Sequence, residues 1–220
     1  KGKTASSATN VASQSQITFV QDQTGVSDLG PSVRVDLGES AASGATITLR
    51  FKYSGVMVTP EGGPLLTKRL AFIGDKHGYL MYAARWFPFH DYAADRAAAD
   101  ITVSLPAGFQ IVGSGDAPAT ALSGGKYRFA HTKPALIGNF AYGRFAPKTL
   151  RFADYELQFY TRPGTDAQVA SYGETLGRAL DFYTKQYGEP DSGRRLIVAQ
   201  TDDETLDFYT APGMIFVADK

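Results

Sequence analysis

The 220-residue sequence contains no cysteine, which excludes disulfides, cysteine-zinc sites and thiol catalysis. It also has no excess of charge, because 22 basic residues balance 22 acidic ones, and so no overall field favours nucleic acid or an anionic membrane as a partner. No apolar run approaches the roughly 20 residues that a membrane-spanning helix requires. The hydrophobic content of 43% is nevertheless typical of a globular chain with a sizeable core.

Residues 1–16 have little apolar side-chain area. The segment KGKTASSATNVASQSQ is rich in Ser, Thr, Ala and Gln, and Val11 is its single branched aliphatic residue. Burial of so little surface cannot offset the entropy of ordering the segment, so we predict a flexible leader. It is either a linker that follows a cleaved export signal or an artificial extension. The first alternative predicts an extracytoplasmic protein, periplasmic or secreted.

Alternation of apolar and polar residues dominates the sequence over residues 17–160. The apolar positions of the clearest segment are Ile47, Leu49, Phe51 and Tyr53, and the same alternation recurs at 32–37, 100–105, 126–129 and 154–159. A period of two marks half-buried strands, and turns rich in Gly and Pro separate these segments. The sequence therefore predicts a mainly β chain, with an N-terminal saddle-like β-sandwich domain over residues 17–160.

The periodicity changes to that of a helix after Tyr160. Arg162-Pro163-Gly164 interrupts the sheet, and Thr165 or Asp166 can serve as the N-cap. The apolar positions at steps of three or four are Val169, Tyr172, Leu176, Leu180, Tyr183 and Tyr187. They predict an amphipathic helix that ends at Gly188, where glycine is typical of a helix C-terminus.

Two glycines, Gly173 and Gly177, lie one turn apart within this predicted helix. Glycine weakens a helix but lets another backbone approach it closely. Two short apolar strands follow, at 196–199 and 214–217. Because one helix and two strands in about sixty residues cannot close a core alone, residues 161–220 are predicted to be the incomplete start of an α+β domain.

None of the three histidines has the spacing of a zinc site. His77, His90 and His131 lie far apart, whereas a zinc-binding helix presents two histidines four residues apart. We therefore predict surface or loop histidines, and neither a metal ligand nor a catalytic residue in this chain. The acidic segment 202–204, Asp-Asp-Glu, together with Asp207 could bind a cation, although a solvated loop is the more common role of such a segment.

The segment ARWFPFHD, residues 84–91, combines aromatic residues with flanking charges. Its residue types indicate a packed corner between sheets, anchored by Trp86 and Phe87. Arg85 or Asp91 would then hold the loop in place.

The order of several segments resembles a known family. "WFP" with a following aspartate comes first, then "DITVSLPAGFQIVGSG" and "GNFAYGRF", then a helix ending in "YTKQYGEP", the strand "RLIVAQ" and a Gly-Met strand. From about Thr18 to Lys220 this order is similar to the front end of the gluzincin zinc aminopeptidases, typified by alanyl aminopeptidase and leukotriene hydrolase. The resemblance implies a saddle-shaped β domain that leads into a thermolysin-like catalytic domain.

The resemblance also implies the chemistry of the complete protein. In the family a zinc-bound water attacks a peptide bond, and the His-Glu-x-x-His helix that binds zinc comes later in the sequence. We therefore expect this chain to stop before the zinc ligands, to bind no zinc itself and to be inactive alone. Its own contribution would be walls of the substrate cleft, whereas the zinc and the peptide substrate belong to the complete protein.

The family's substrate cleft includes an edge strand with a Gly-x-Met-Glu-Asn motif. Met214 falls on the methionine of that motif, so the implied substrate-binding residues are Pro212, Gly213, Met214 and Ile215. The strand 214–217 would pair with an extended peptide by β-addition. Its exposed edge would otherwise be covered by the missing C-terminal catalytic portion or by a second chain.

Two departures from the family pattern affect specificity. Ile215 and Phe216 occupy the motif's Glu and Asn positions, and Gly78 occupies the position of a second amine-binding residue. Apolar side chains cannot hold the free α-amine of a substrate. We therefore expect the complete protein to prefer internal or blocked peptides. The alternative function, from another class, is a non-catalytic β-rich binding or scaffold module whose metallopeptidase ancestry is only structural.

Overall fold

The computed structural model describes residues 4–10, 15–21, 32–55, 69–81, 83, 86–90, 95–202 and 207–219. These residues form seventeen strands, β1–β17, and one helix, α1. The strands are β1 Thr4–Asn10, β2 Ser15–Gln16, β3 Phe19–Gln21, β4 Val33–Val35, β5 Leu49–Ser54, β6 Ala71–Ile73, β7 Gly78–Leu80, β8 Ala97–Ser104, β9 Gln110–Gly113, β10 Thr120–Leu122, β11 Lys126–Ala135, β12 Phe140–Gly143, β13 Ala146–Phe152, β14 Tyr155–Thr161, β15 Arg195–Gln200, β16 Phe208–Ala211 and β17 Met214–Val217, and α1 is Asp166–Tyr187. The prediction of a mainly β chain is confirmed.

Three sheets and α1 stack as layers. The first sheet has the order β10-β11-β8, the middle sheet β6-β7-β12-β9, and the third β13-β14-β15-β17-β16. Both faces of the middle sheet are covered, because neighbouring residues of β12 point to opposite sides: Phe140 packs towards the first sheet and Ala141 towards the third. Two smaller sheets, β2-β1-β5 and β3-β4, complete the described strands.

The five-stranded third sheet separates the middle sheet from α1. Its strands β14, β15 and β17 are parallel to one another, and β13 and β16 flank them in antiparallel pairs. In β15, Ile197 and Ala199 pack towards the middle sheet, whereas Val198 packs towards α1. The boundary predicted at residues 160 and 161 stays a prediction, but it falls inside β14, and strand pairing crosses it.

Helix α1 begins and ends close to the predicted positions. Thr165 is the N-cap residue, and Gly188 follows the last turn with a positive φ of 89° while its N–H donates to the Thr184 carbonyl. The two helical glycines face β13: a Cβ built on Gly173 would lie 2.3 Å from Cδ1 of Leu150, and one built on Gly177 would lie 2.3 Å from Cγ of Phe152. The helix is therefore closely approached at both glycines, but by side chains of β13 rather than by another backbone as predicted.

The N-terminal segment differs from its prediction. Residues 4–10 were expected to belong to a flexible leader, but they form β1, which pairs with β5 along its length. Strand pairing is made by backbone hydrogen bonds, and these do not require the apolar side chains that the segment lacks. The lack of apolar side chains therefore did not exclude a strand at residues 4–10.

The aromatic corner is present among the described residues 86–90. The Trp86 indole N–H donates to the Gly138 carbonyl at 3.0 Å, and its ring packs edge-on against Phe87 and Phe140. Gly138 has a φ of +87°, and a Cβ there would lie 2.8 Å from the Trp86 ring. Arg85 and Asp91, which were expected to hold this loop, lie outside the described residues.

Candidate functional site

Strand β17 is an interior strand of the third sheet. It pairs with β15 on one side and with β16 on the other, so that Ile215 lies between Val198 and Thr210. The prediction that residues 214–217 offer a backbone edge to a peptide is therefore wrong. Strand β16 was not predicted from the sequence, because Phe208–Ala211 is too short and too mixed in polarity to show the periodicity of a strand.

The edge of the sheet is β16. The Ala218 N–H donates to the Asp207 carbonyl at 3.0 Å, which fixes the residues of β16 that face β17. Because hydrogen bonding alternates along an antiparallel pair, Tyr209 bonds to β17, whereas the backbone groups of Phe208 and Thr210 point away from it. No described strand pairs with this outer edge of β16.

The four residues predicted to bind substrate form the turn after β16 and the first half of β17, the strand that pairs with β16. Pro212 and Gly213 form the two-residue turn between β16 and β17, and Gly213 takes a φ of +67° that glycine adopts without strain. Met214 is fully buried and Ile215 half-buried. Their role in substrate binding stays a prediction. Neither β16 nor β17 contains a carboxylate that could hold an α-amine.

A buried polar network lies just beyond the end of β15. Arg69 Nη2 donates to Asp202 Oδ2 at 2.7 Å, and the Tyr79 hydroxyl donates to Asp202 Oδ1 at 3.0 Å. His77 Nε2 lies 3.0 Å from Asp202 Oδ2, and Arg69 Nε donates to the Tyr79 hydroxyl oxygen at 3.0 Å. The guanidinium of Arg69 also stacks over the Phe72 ring at 4.2 Å. We call Arg69, His77, Tyr79 and Asp202 the Asp202 network.

The Asp202 network joins the middle sheet to the third sheet. Asp202, which follows β15 of the third sheet, has 11% of its side chain exposed, and the other three residues come from β7 and the segments that flank β6. Burial is the largest influence on Tyr79 and raises the pKa of its phenol well above the usual range. The interpretation of Asp202 as part of a solvated loop is wrong, because its carboxylate is buried and accepts hydrogen bonds from Arg69 and Tyr79. Asp203 and Glu204 lie outside the described residues.

A second polar group ties the carboxyl ends of the parallel strands together. Arg162 and Asp219 form an ion pair, and Gln200 lies between them, donating to Asp219 Oδ1 at 2.8 Å and accepting from the Arg162 backbone N–H at 2.7 Å. Carboxyl ends of parallel strands are where α/β proteins place their ligand sites. The Asp202 network, this polar group and the edge strand β16 all lie at or beside this sheet, and we treat them together as the candidate site.

Two of the three histidines match their predicted surroundings. His90 is exposed and paired with Asp95, and His77 is half-exposed in a loop. The surface prediction is wrong for His131, which is 3% exposed in β11, has an Nε2 atom without a hydrogen-bond partner and a pKa lowered by burial.

Within the described residues, no three His, Asp or Glu side chains come together as a metal site.

The position that the family pattern assigns to a second amine-binding residue is Gly78. A Cβ built there would lie 2.3 Å from the Tyr142 ring and 2.6 Å from the Phe72 carbonyl oxygen. The site therefore has no room for a longer side chain at this position.

Solved structures provide the comparison for this arrangement. The chain is similar to the M1 zinc metallopeptidase from Deinococcus radiodurans, with a TM-score of 0.67 and 18% sequence identity over 99% of this chain. It is also similar to native leukotriene A4 hydrolase from Saccharomyces cerevisiae, with a TM-score of 0.66 and 13% identity over 98% of this chain. The fold resembles that of M1 zinc metallopeptidases. At such identities the likeness concerns the fold alone.

The chain spans only part of these M1 structures, 50% of the Deinococcus enzyme and 33% of the yeast enzyme. No protein-family model matches the chain, and no curated protein sequence matches it. The structural likeness confirms the resemblance noted in the sequence for the fold only. Among the described residues, no helix combines the length and apolar character needed to cross a membrane.

Proposed function

We propose that this chain is the N-terminal part of a zinc metallopeptidase of the M1 type. The observation that carries the proposal is the extent of the structural likeness, since almost the whole chain superposes on two peptidases that continue well beyond the matched region. The zinc and the residues that bind it would belong to the remainder of the complete protein, as the family resemblance implies.

In this proposal the chain provides one wall of the substrate cleft. The outward N–H and C=O groups of Phe208 and Thr210 would pair with an extended peptide by β-addition. The turn at Pro212 and Gly213, with Met214 and Ile215, would fix β16 in place. Because the edge strand has no carboxylate, the peptide would be held through its backbone rather than through a free α-amine.

The reading frame beyond Lys220 and the activity of its product test this function. We expect a downstream His-Glu-x-x-His motif and a peptidase activity that a chelator abolishes and added zinc restores. The 220-residue chain itself should show no peptidase activity and no stoichiometric zinc after dialysis. A complete protein without the motif and without activity would instead support the alternative, a non-catalytic binding or scaffold module.

A proline substitution in β16 tests the role of the edge strand in the complete protein. Thr210→Pro removes an outward N–H without breaking a bond to β17, and an edge strand can accept proline at such a position. We expect kcat/KM for a peptide to fall about tenfold, the equivalent of one hydrogen bond of about 1.4 kcal/mol, with an unchanged melting temperature. The matched control Thr210→Val keeps the N–H and should retain activity. Equal activity of both variants would exclude β-addition at Thr210.

The choice between free and blocked peptides tests the missing amine anchor. With one peptide in free and N-acetylated forms, we expect the complete protein to cleave the acetylated form at least as well. A strong preference for the free amine would mean that a residue outside β16 and β17 binds it.

A further inference from the structure

The outward face of α1 carries a group of exposed aromatic side chains. Tyr172, Phe182, Tyr183 and Tyr187 are 64, 57, 58 and 83% exposed. Tyr183 stacks on Tyr187 with ring centroids 6.1 Å apart, and Phe182 packs edge-on against Tyr183 at 5.4 Å. A contiguous exposed apolar patch marks an interaction surface more often than an ordinary solvated helix face.

The spacing of these residues is that of a helix–helix contact. Tyr172, Leu176, Ala179, Tyr183 and Tyr187 follow one another at steps of 4, 3, 4 and 4, and at 100° per residue they occupy an arc of about 80°. We call these five residues the aromatic stripe. It borders the face of α1 that packs on the third sheet, where Leu176 also contacts the core.

The charges of α1 lie on the other side of the helix. Glu174 pairs with Arg178, and Asp181 with Lys185, at i,i+4 spacing. These four residues are centred about 170–190° away from the aromatic stripe. Two helices joined through their stripes would bury none of these charges, and two copies of a chain with no net charge do not repel each other.

The aromatic stripe is complementary to itself. Four of its residues are placed symmetrically about the peptide bond between Ala179 and Leu180, so in an antiparallel pair Tyr172 of one copy faces Tyr187 of the other, and Leu176 faces Tyr183. Ala179, the smallest residue of the stripe, then lies at the crossing point, where the two backbones come closest. Such self-complementarity is the requirement for a two-fold interface.

We propose that the aromatic stripe binds a second copy of this chain, forming a two-fold dimer through antiparallel α1 helices. A fully buried aromatic side chain removes about 150–250 Å² from water, so the three tyrosines of the stripe, which are 64, 58 and 83% exposed, supply about 400 Å² per copy and about 800 Å² in total. An area of this size is that of a weak, transient interface rather than a standard one. The dimer is therefore weak, with a Kd on the order of 10–100 µM. The proposal does not depend on the peptidase function.

Sedimentation velocity of the 220-residue chain from about 5 to about 500 µM tests the dimer, since this range brackets the expected Kd. We expect the weight-average sedimentation coefficient to rise with concentration. Tyr183→Glu should keep the chain monomeric, and the matched control Ala170→Glu, which adds the same charge on the charged side of α1, should leave the rise unchanged. Both positions are exposed, so circular dichroism melts should show that both variants fold.

Engineered cysteines test the antiparallel register, since the chain contains no cysteine of its own. Ala179→Cys places two thiols beside the two-fold axis and should give a disulfide-linked dimer on mild oxidation. Gln186→Cys places them about 20 Å apart, which is too far for a disulfide. A monomer at about 500 µM would overturn the proposal, as would a dimer that Tyr183→Glu leaves intact or equal cross-linking at both positions.

Discussion

Replacement of Gly177 by alanine should destabilise the protein, although the same change in an open helix would stabilise it. Alanine gains about 1 kcal/mol over glycine in a helix interior. At Gly177, however, the new Cβ would lie 2.3 Å from Cγ, 2.6 Å from Cβ and 2.7 Å from Cδ2 of Phe152. The Cβ atom of Phe152 is fixed by the β13 backbone and cannot rotate away, and forced overpacking costs about 1–3 kcal/mol. Subtracting the gain from this cost, we expect a net loss of up to about 2 kcal/mol in the free energy of unfolding.

Gly173→Ala is the matched control in the same helix. There the new Cβ would meet only the terminal Cδ1 of Leu150 at 2.3 Å, and a leucine methyl group can turn aside. We expect Gly173→Ala to be neutral or stabilising by up to about 1 kcal/mol. Urea denaturation followed by circular dichroism measures both values, and Phe152→Ala should reduce the cost of Gly177→Ala by about 1 kcal/mol. Equal stabilisation by both alanines would refute the observed contact between α1 and β13.

Three further substitutions test the core and the polar groups. Burial lowers the pKa of His131 below its unfolded value of about 6.5. The unfolded chain therefore binds a proton more readily than the folded one, and stability is lost as the pH falls below about 6.5. His131→Gln should flatten this decline, measured as the urea midpoint between about pH 7 and pH 5. Trp86→Ala should cost about 3 kcal/mol, because the ring packs on Phe140 and Gly138, and a melting temperature lowered by less than about 2 °C would contradict the corner. Asp202→Ala should cost about 2–4 kcal/mol in thermal melts, because it leaves Arg69 and Tyr79 without their shared acceptor.

The strands and the helix could be predicted where one periodicity extends over enough residues. The alternation around Phe51 and the helical steps from Val169 to Leu180 fall on β5 and α1. Strand β16 could not be predicted in this way, because four residues carry too little periodicity, and β1 lacked the apolar residues on which the prediction depended. The tyrosines at 172, 183 and 187 share the period of the packed residues, so the pattern alone could not separate a core face from an exposed one.

The candidate site was only partly accessible to sequence reasoning. The turn at Pro212 and Gly213 was visible as a local signal, and so was the strand that follows it. The Asp202 network was not, because Asp202 meets Tyr79 across 123 residues and Arg69 across 133. A single sequence records no such pairing. The burial of His131 was hidden for a related reason, since polar residues normally mark the solvent face of a strand.

The continuity of the third sheet through β14 affects how this architecture can be recombined among related proteins. A crossover between two genes at residue 160 would assemble one sheet from two parents, because β13 and most of β14 would come from one parent and the β15 that pairs with β14 from the other. A crossover at Arg144, between β12 and β13, would keep that sheet intact. Even there, Tyr79 and Met81 from one parent would have to fit Ile197 and Phe216 from the other. The two halves should therefore have evolved as a matched pair rather than as exchangeable modules.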